Sequence, residues 1–489
     1  MQINPLFLID GYKADHRRQY PEGTTVVYSN WTPRKSRVEG MDQVVFFGLQ
    51  YFMMEYLQSR FAEDFFMRYR GEVCDEYKRC MDSYLGPDAV PVDHIADLHD
   101  LGYLPIQINA LPEGTLVPVG VPMLTIHNTH SDFFWLTNQL ETLMSSVLWL
   151  PCTSATTAHG YRQRFMAALG ASPACDVRFQ GHDFSFRGMS SPEAAMTSGA
   201  GHLLSFYGTD TIPAIKFVQR YYPGDNGLIG CSVPATEHSV MCMGGKDDEI
   251  GTYRRLINEI YPTGIVSIVS DTWDFWSIMT KGLDALKDDI LARHDATGGR
   301  VVFRPDSGDP VKIVCGDPDA PEGTPEHKGA FQCLWDAFGG SVSEDGLRVL
   351  NPAVGLIYGD SITPQRQSEI LSGLLQKMFE PTVVLGIGSY TYQHVTRDTF
   401  GFAMKATYGE VSGDPREIFK SPKTDPSGEK KSAKGLLKVI WEDGKLKLID
   451  QCSSLDMQDN LLKPVFRNGG ILKHWSFKDV RNNLWPQGF

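Results

Sequence analysis

No stretch of the chain approaches the ~18 consecutive apolar residues that a membrane-spanning helix needs; its hydrophobic runs are short and interrupted. The first residues, through Asp10-Gly11-Tyr12-Lys13, carry neither a basic start nor a sustained apolar core with a small-residue cleavage site, so no signal peptide is expected. Cysteine is sparse: nine residues are scattered over 489 without a single CxxC pair, which argues against a disulfide framework or a zinc ribbon and for a reducing, cytoplasmic setting. Positive charge is short as well. Forty-six Lys+Arg against 59 Asp+Glu leave a net charge of −13, a poor basis for non-specific nucleic-acid or anionic-membrane binding. A polyanionic ligand would need a local basic cluster working against that global sign. What the chain does have is 42% hydrophobic residues and a length of several domain equivalents, enough for a deep core.

The clearest rhythm lies in the central half. Residues 264–270 form a β-branched run ending at Asp271, followed by a helical pattern over 273–294 with Phe275, Ile278, Met279, Leu283, Leu286 and Ile290 on one face. Arg300-Val301-Val302-Phe303 runs into Arg304-Pro305-Asp306-Ser307-Gly308. Val354-Gly355-Leu356-Ile357-Tyr358 ends in Gly359-Asp360, and Pro364 opens a helix to about residue 379. Thr382-Val383-Val384-Leu385 ends in Gly386-Ile387-Gly388-Ser389. Strand, polar turn, helix, strand predicts parallel α/β architecture, and four successive strands ending in Asp, Gly or Arg put the chemistry where α/β barrels keep their sites. Residues 311–329, rich in Pro, Gly and Asp, read as a loop insertion. The flanks read as strands and turns: residues 106–126 and a hairpin over 436–449 with an Asp443-Gly444 turn. The expected organisation is an irregular α/β barrel over 154–397 inserted into a second, β-rich domain built from 1–153 and 398–489.

Several residues could carry chemistry. Arg304 and Asp306 set a fixed cation and a carboxylate two residues apart at a strand end, suited to a phosphate or an aromatic ring and to sugar hydroxyls or hydrated Mg²⁺. The glycine turns at Gly359 and Gly388 can expose backbone N–H groups to phosphate. A basic run holds Lys420, Lys423, Lys430, Lys431, Lys434 and Lys438, with Arg34, Lys35, Arg37, Arg397 and Lys405 elsewhere. His238 follows a Pro-bearing turn and could be a general base, a nucleophile or a metal ligand. His127 and His130 have half the spacing of a metal site but no third ligand nearby, and no metal-binding residues are assigned.

Asp10 to Lys13, Tyr28-Ser29, Phe47 to Gln50, Trp135 to Asn138, His182-Asp183-Phe184-Ser185-Phe186-Arg187-Gly188, Gly208-Thr209-Asp210-Thr211, Ser232 to Ser239, Ser270-Asp271, Arg304 to Gly308, Gly359-Asp360 and Thr396-Arg397-Asp398 occur in this order. The ordered set resembles the nicotinamide phosphoribosyltransferases, of the type II phosphoribosyltransferase family, nearly end to end. The resemblance implies transfer of the phosphoribosyl group from phosphoribosyl pyrophosphate to nicotinamide, giving nicotinamide mononucleotide and pyrophosphate in NAD salvage. It further implies a homodimer with shared sites. Phe184 and the partner subunit's Tyr12 would sandwich the pyridine ring. Asp210 would accept a hydrogen bond from the carboxamide, with Ser267 near the amide, Arg304 beside ring and ribose, and Pro305 among the substrate-binding residues. Asp306, Gly359 and Asp360 would take the ribose hydroxyls. Gly388 and Ser389 would receive the 5′-phosphate together with the partner subunit's Arg397, while Arg187, Arg34, Lys405 and Lys420 would surround pyrophosphate.

His238 matches the family's phosphorylatable histidine, through which ATP hydrolysis is coupled to transfer. Mg²⁺ is expected through pyrophosphate and water, and Asp271 and Asp306 would offset positive charge on the ribose. Two departures stand out: Gly386-Ile387-Gly388-Ser389 replaces a longer glycine run, and Phe186 stands where a Tyr is frequent. The alternatives are a nicotinate phosphoribosyltransferase and a catalytically silent phosphoribosyl-binding protein.

Overall fold

The structure, a computed structural model, describes residues 3–170, 175–420 and 433–489. Lys423, Lys430 and Lys431 of the basic run lie outside the described residues. The chain divides into two compact units: Met1–Thr156, Phe217–Gly227 and Val395–Phe489 form one, and Thr157–Lys216 with Leu228–His394 the other. The excursion of Phe217–Gly227 into the first unit has no counterpart in the sequence-based division at 153/154 and 397/398. Among the described residues no helix is long and apolar enough to cross a membrane.

The second unit is the expected α/β body. Six parallel strands run in the order Gly208–Thr209, Gly181–Asp183, Val384–Ile387, Val354–Tyr358, Arg300–Arg304, Ile265–Val269. Residues 231–236 bridge the two outer strands: Cys231 pairs with Gly208, and Ala235 with Ser267, both in parallel. Their backbone groups exchange hydrogen bonds with Tyr207, Thr209 and Ser267, so an irregular stave turns the open sheet into a barrel. Val301, Phe303, Val266 and Ile268 are buried with Leu283, Leu286, Ile290 and Ile370 of the surrounding helices, as the apolar periodicity requires. Residues 311–329 are not all loop. Asp309 accepts from the N–H groups of Val311 and Lys312, and Pro310 follows it, so capping starts a helix at Pro310–Cys315.

The first unit holds a seven-stranded antiparallel sheet drawn from both chain ends, in the order Asp414–Glu417, Phe402–Val411, Thr24–Pro33, Leu124–Asn128, Ile106–Ala110, Lys463–Arg467, Gly470–Ile471. Trp31 and Phe402 stack across it with ring centroids 4.6 Å apart. The hairpin forms as expected from Leu436–Glu442 and Lys445–Cys452, with Asp443 and Gly444 both at positive φ. The unit carries more helix than its β-rich sequence reading implied, including Arg70–Leu85 and Asp93–Leu101. Near its centre Glu113, fully buried, accepts from the N–H groups of Gln50 (2.6 Å) and Gly48 (2.8 Å) and from the Tyr222 hydroxyl (2.8 Å). Burial drives its carboxyl up to about 7 against these three donors.

Candidate active site

Most of the chemistry-bearing residues of the second unit follow the carboxyl ends of the barrel strands, while Ser267 lies within the strand Ile265–Val269 and His238 opens the helix His238–Gly244. Gly181–Asp183 delivers Phe184, whose N–H bonds to Ile387 O at 3.0 Å. The ring packs close against Gly386, where an added Cβ would stand 2.5 Å from Phe184 Cδ2. Gly208–Thr209 delivers Asp210, tied by its N–H to Asp183 O at 2.9 Å. Asp183 is itself fully buried and accepts from the Ser185 N–H, which fixes the turn carrying Phe184.

Two cavities meet at these residues. One, of about 550 Å³, follows the barrel axis: Arg300, Val302 and Arg304, alternate residues of one strand, all line it, with Phe184, Asp210, Ser232 and Ser267 among the other lining residues. The second, of about 1060 Å³, is lined by Phe186, Arg187, Asp306, Gly359, Asp360, Gly388 and Ser389. Phe184, Asp210 and Arg304 line both and therefore mark the junction. Ser267 Oγ and Arg304 Nε are buried there without a hydrogen-bond partner. A flat ring with one polar substituent suits the narrow cavity, and a polyanionic sugar the wide one.

The electrostatics divide the carboxylates. Asp210 is partly buried, which raises its pKa, but hydrogen bonds from His182 and Ser232 and the charge of Arg304 outweigh burial and hold it below the usual carboxylate value. It therefore stays an acceptor. Asp306 is pushed the other way, chiefly by burial and further by Asp271 and Asp360, against the opposing pull of Arg304 and His238. Asp271 receives the Asp306 N–H at 2.9 Å and the Ser307 hydroxyl at 2.5 Å, and so shapes the turn after Arg304. Arg304 donates to the Thr236 carbonyl. His238, half-exposed, places Nδ1 3.1 Å from Thr272 Oγ1 and Nε2 3.9 Å from Asp271 Oδ1.

The sequence model of the nicotinate phosphoribosyltransferase (NAPRTase) family matches residues 179–470, the span that contains this site. The chain belongs to that family. The model of the nicotinamide phosphoribosyltransferase N-terminal domain matches residues 4–108. The chain is 53% identical to the nicotinamide phosphoribosyltransferase of Acinetobacter baylyi over 99% of its own length and 98% of the relative's. It is 33% identical to the protein of the same name from Xanthomonas campestris, over 98% of this chain and 97% of that one. Among solved structures, nicotinate-nucleotide pyrophosphorylase from Pyrococcus furiosus shares the fold, with a TM-score of 0.61 at 14% identity over 99% of this chain and 95% of that chain.

In this member of the nicotinate phosphoribosyltransferase family the expected site residues fall into two sets. Phe184, Arg187, Asp210, Ser267, Arg304, Pro305, Asp306, Gly359, Asp360, Gly388, Ser389, His238 and Asp271 belong to the barrel unit. Tyr12, Arg34, Arg397, Lys405 and Lys420 belong to the other. There Lys405 pairs with Asn30 across the sheet, and its amine is lowered first by burial and then by Arg34 and Lys420. Crowded, partly desolvated cations of this kind suit an anion. Tyr12 is 63% exposed, and Arg397 contacts Asp398 at 3.2 Å.

Three residues escaped the sequence reading: His182 and Ser232, which hold Asp210, and Arg366, which lines the wide cavity and donates to Ser361 O at 2.7 Å. Arg366 was findable, since it sits in the first turn of the helix that follows Gly359-Asp360. His182 and Ser232 lay inside quoted motifs, yet nothing in their spacing pointed to a shared partner.

Proposed function

We propose that the chain transfers the 5-phosphoribosyl group of phosphoribosyl pyrophosphate to nicotinamide in NAD biosynthesis. The observation that carries the reading is Asp210, an acceptor-only carboxylate beside the Phe184 ring at the junction of the two cavities. It can accept from a carboxamide NH₂ and would repel the carboxylate of nicotinate. The named relatives support the same substrate.

Pyridine nitrogen attacks ribose C1 as the C1–pyrophosphate bond breaks, so positive charge grows on the ribose and negative charge on the leaving group. No proton has to leave the nucleophile, and His238 is not needed as a base. Phe184 holds the ring by stacking, Ser267 faces the amide, and Arg304 lies beside ring and ribose. Asp306, Asp360 and Gly359 take the ribose hydroxyls, and Asp271 and Asp306 offset the charge at C1. Gly388 and Ser389 receive the 5′-phosphate. Arg187, Arg34, Lys405 and Lys420 are assigned to pyrophosphate, and Tyr12 and Arg397 of the partner subunit complete each site of a homodimer.

Among the described residues no group of three or more His, Cys, Asp or Glu could hold a metal ion. Asp306 and Asp360 at the wide cavity fit Mg²⁺ held mainly by pyrophosphate and water. When bound, the ion would neutralise leaving-group charge. ATP is assigned to His238: the γ-phosphoryl group moves to an imidazole nitrogen with release of ADP, and water later takes it as phosphate.

Purified protein supplied with nicotinamide, phosphoribosyl pyrophosphate and Mg²⁺ is expected to release pyrophosphate and nicotinamide mononucleotide. Equal or better turnover of nicotinate would replace the substrate, and no pyrophosphate with either base would favour a silent binding protein.

A further inference from the structure

Among the described residues, the two side-chain hydrogen bonds that Asp210 receives fall on the same oxygen. His182 Nε2 and Ser232 Oγ each lie 2.8 Å from Oδ1. Because an ionised carboxylate only accepts, the His182 proton must sit on Nε2, and the Ser232 hydroxyl must donate. Oδ1 is thereby saturated, and Oδ2 is the oxygen left to meet a ligand.

The imidazole has little freedom to do otherwise. His182 is 8% exposed and packs on the Phe184 ring with centroids 4.6 Å apart. Gly208 also lies close by, where a Cβ would stand 2.8 Å from His182 Nδ1. One ring thus braces both the aromatic wall and the polar acceptor of the narrow cavity.

We propose that His182, with Ser232, is a positioning residue that sets the choice of amide over acid, by fixing Asp210 through Oδ1 so that Oδ2 alone reads the substrate. The inference rests on the nicotinamide reading above. Selectivity then belongs to a three-residue clamp rather than to Asp210 by itself. A carboxylate without its clamp can rotate toward solvent and loses its aim at the amide.

The test compares wild type, His182→Leu, His182→Gln and Ser232→Ala, with kcat and KM measured separately for nicotinamide, nicotinate and phosphoribosyl pyrophosphate. Wild-type turnover of nicotinamide is the prior condition; its failure strikes the functional reading before any variant is compared. Hydrogen bonds to a charged partner lead one to expect a drop of about 10- to 100-fold in kcat/KM for nicotinamide in His182→Leu, carried by KM. The nicotinamide-to-nicotinate preference should fall by a similar factor, while KM for phosphoribosyl pyrophosphate should hold. Gln can present a donor N–H where Nε2 stood, so His182→Gln should recover most of the preference. Leu and Gln variants that fall equally, or a preference that survives in His182→Leu, would overturn the proposal. Should His182→Leu fail to fold, Ser232→Ala decides on an exposed side chain: a preference unchanged there overturns it, and a loss of about tenfold supports it.

Discussion

Replacing Asp210 by Asn keeps the side chain's shape and removes its charge, which makes it the sharpest probe of the pyridine wall. The amide of nicotinamide loses a charged acceptor, worth about 1.5–3 kcal/mol, or roughly 10- to 150-fold in kcat/KM. Nicotinate gains instead. Two carboxylates about 4 Å apart repel by about 4 kcal/mol at an effective dielectric near 20. The Asp210 side chain is 47% exposed, so solvent screening brings that to about 2 kcal/mol. Together these terms shift the ratio of nicotinamide to nicotinate turnover by about 3.5–5 kcal/mol, between two and four orders of magnitude. The assay is kcat/KM for each base at saturating phosphoribosyl pyrophosphate, read as pyridine mononucleotide formed. A variant in which both bases lose activity in parallel, leaving the ratio where it was, would refute the reasoning.

Other perturbations reach different parts of the molecule. Under the proposed phosphohistidine role, His238→Ala should abolish any stimulation of nicotinamide mononucleotide formation by ATP; stimulation that persists in the variant removes that assignment. Gly386→Ala puts a methyl 2.5 Å from the Phe184 ring and 3.0 Å from Gly359 Cα, so the ring must shift; KM for nicotinamide should rise about tenfold or more, and an unchanged KM would show that the close packing is dispensable. Glu113 is held protonated by burial to about 7, above its unfolded value of 4.5. Between those values the folded chain binds more protons than the unfolded one, so stability falls as pH rises from about 4.5 to 7, by about 3 kcal/mol in all. Glu113→Gln should flatten that part of the Tm–pH curve, and an unaltered slope would assign the dependence to other groups.

How much of this was legible in the residues depended on whether a segment buries a run of apolar side chains. Ile265–Val269, Arg300–Arg304 and Val354–Tyr358 announce themselves by β-branched and aliphatic runs between polar turns. Gly181–Asp183 and Gly208–Thr209 do not: they are short and polar, and are held as strands by parallel pairing and by the buried Asp183 rather than by their own hydrophobicity. The stave at 231–236 is harder still, since Pro234 interrupts it and only single bridges mark it. Strand ends carrying Arg304, Asp306, Asp360 and Ser389 were readable because the chemistry follows the strand directly. The clamp on Asp210 was not, because His182 and Ser232 converge only once three separate segments have paired side by side.

The stave has a consequence for what this molecule can tolerate. Surface connections usually accept inserted or deleted residues. Here the run from Ser232 to His238 is anchored at Cys231 and again at Ala235, donates to Asp210 near its start, and ends in the imidazole beside Asp271. Adding or removing one residue in that run would move either the hydroxyl or the imidazole off its mark, whatever side chains the rest carried. This segment can therefore drift in composition while its length stays fixed, like a ruler whose markings may be repainted but not respaced.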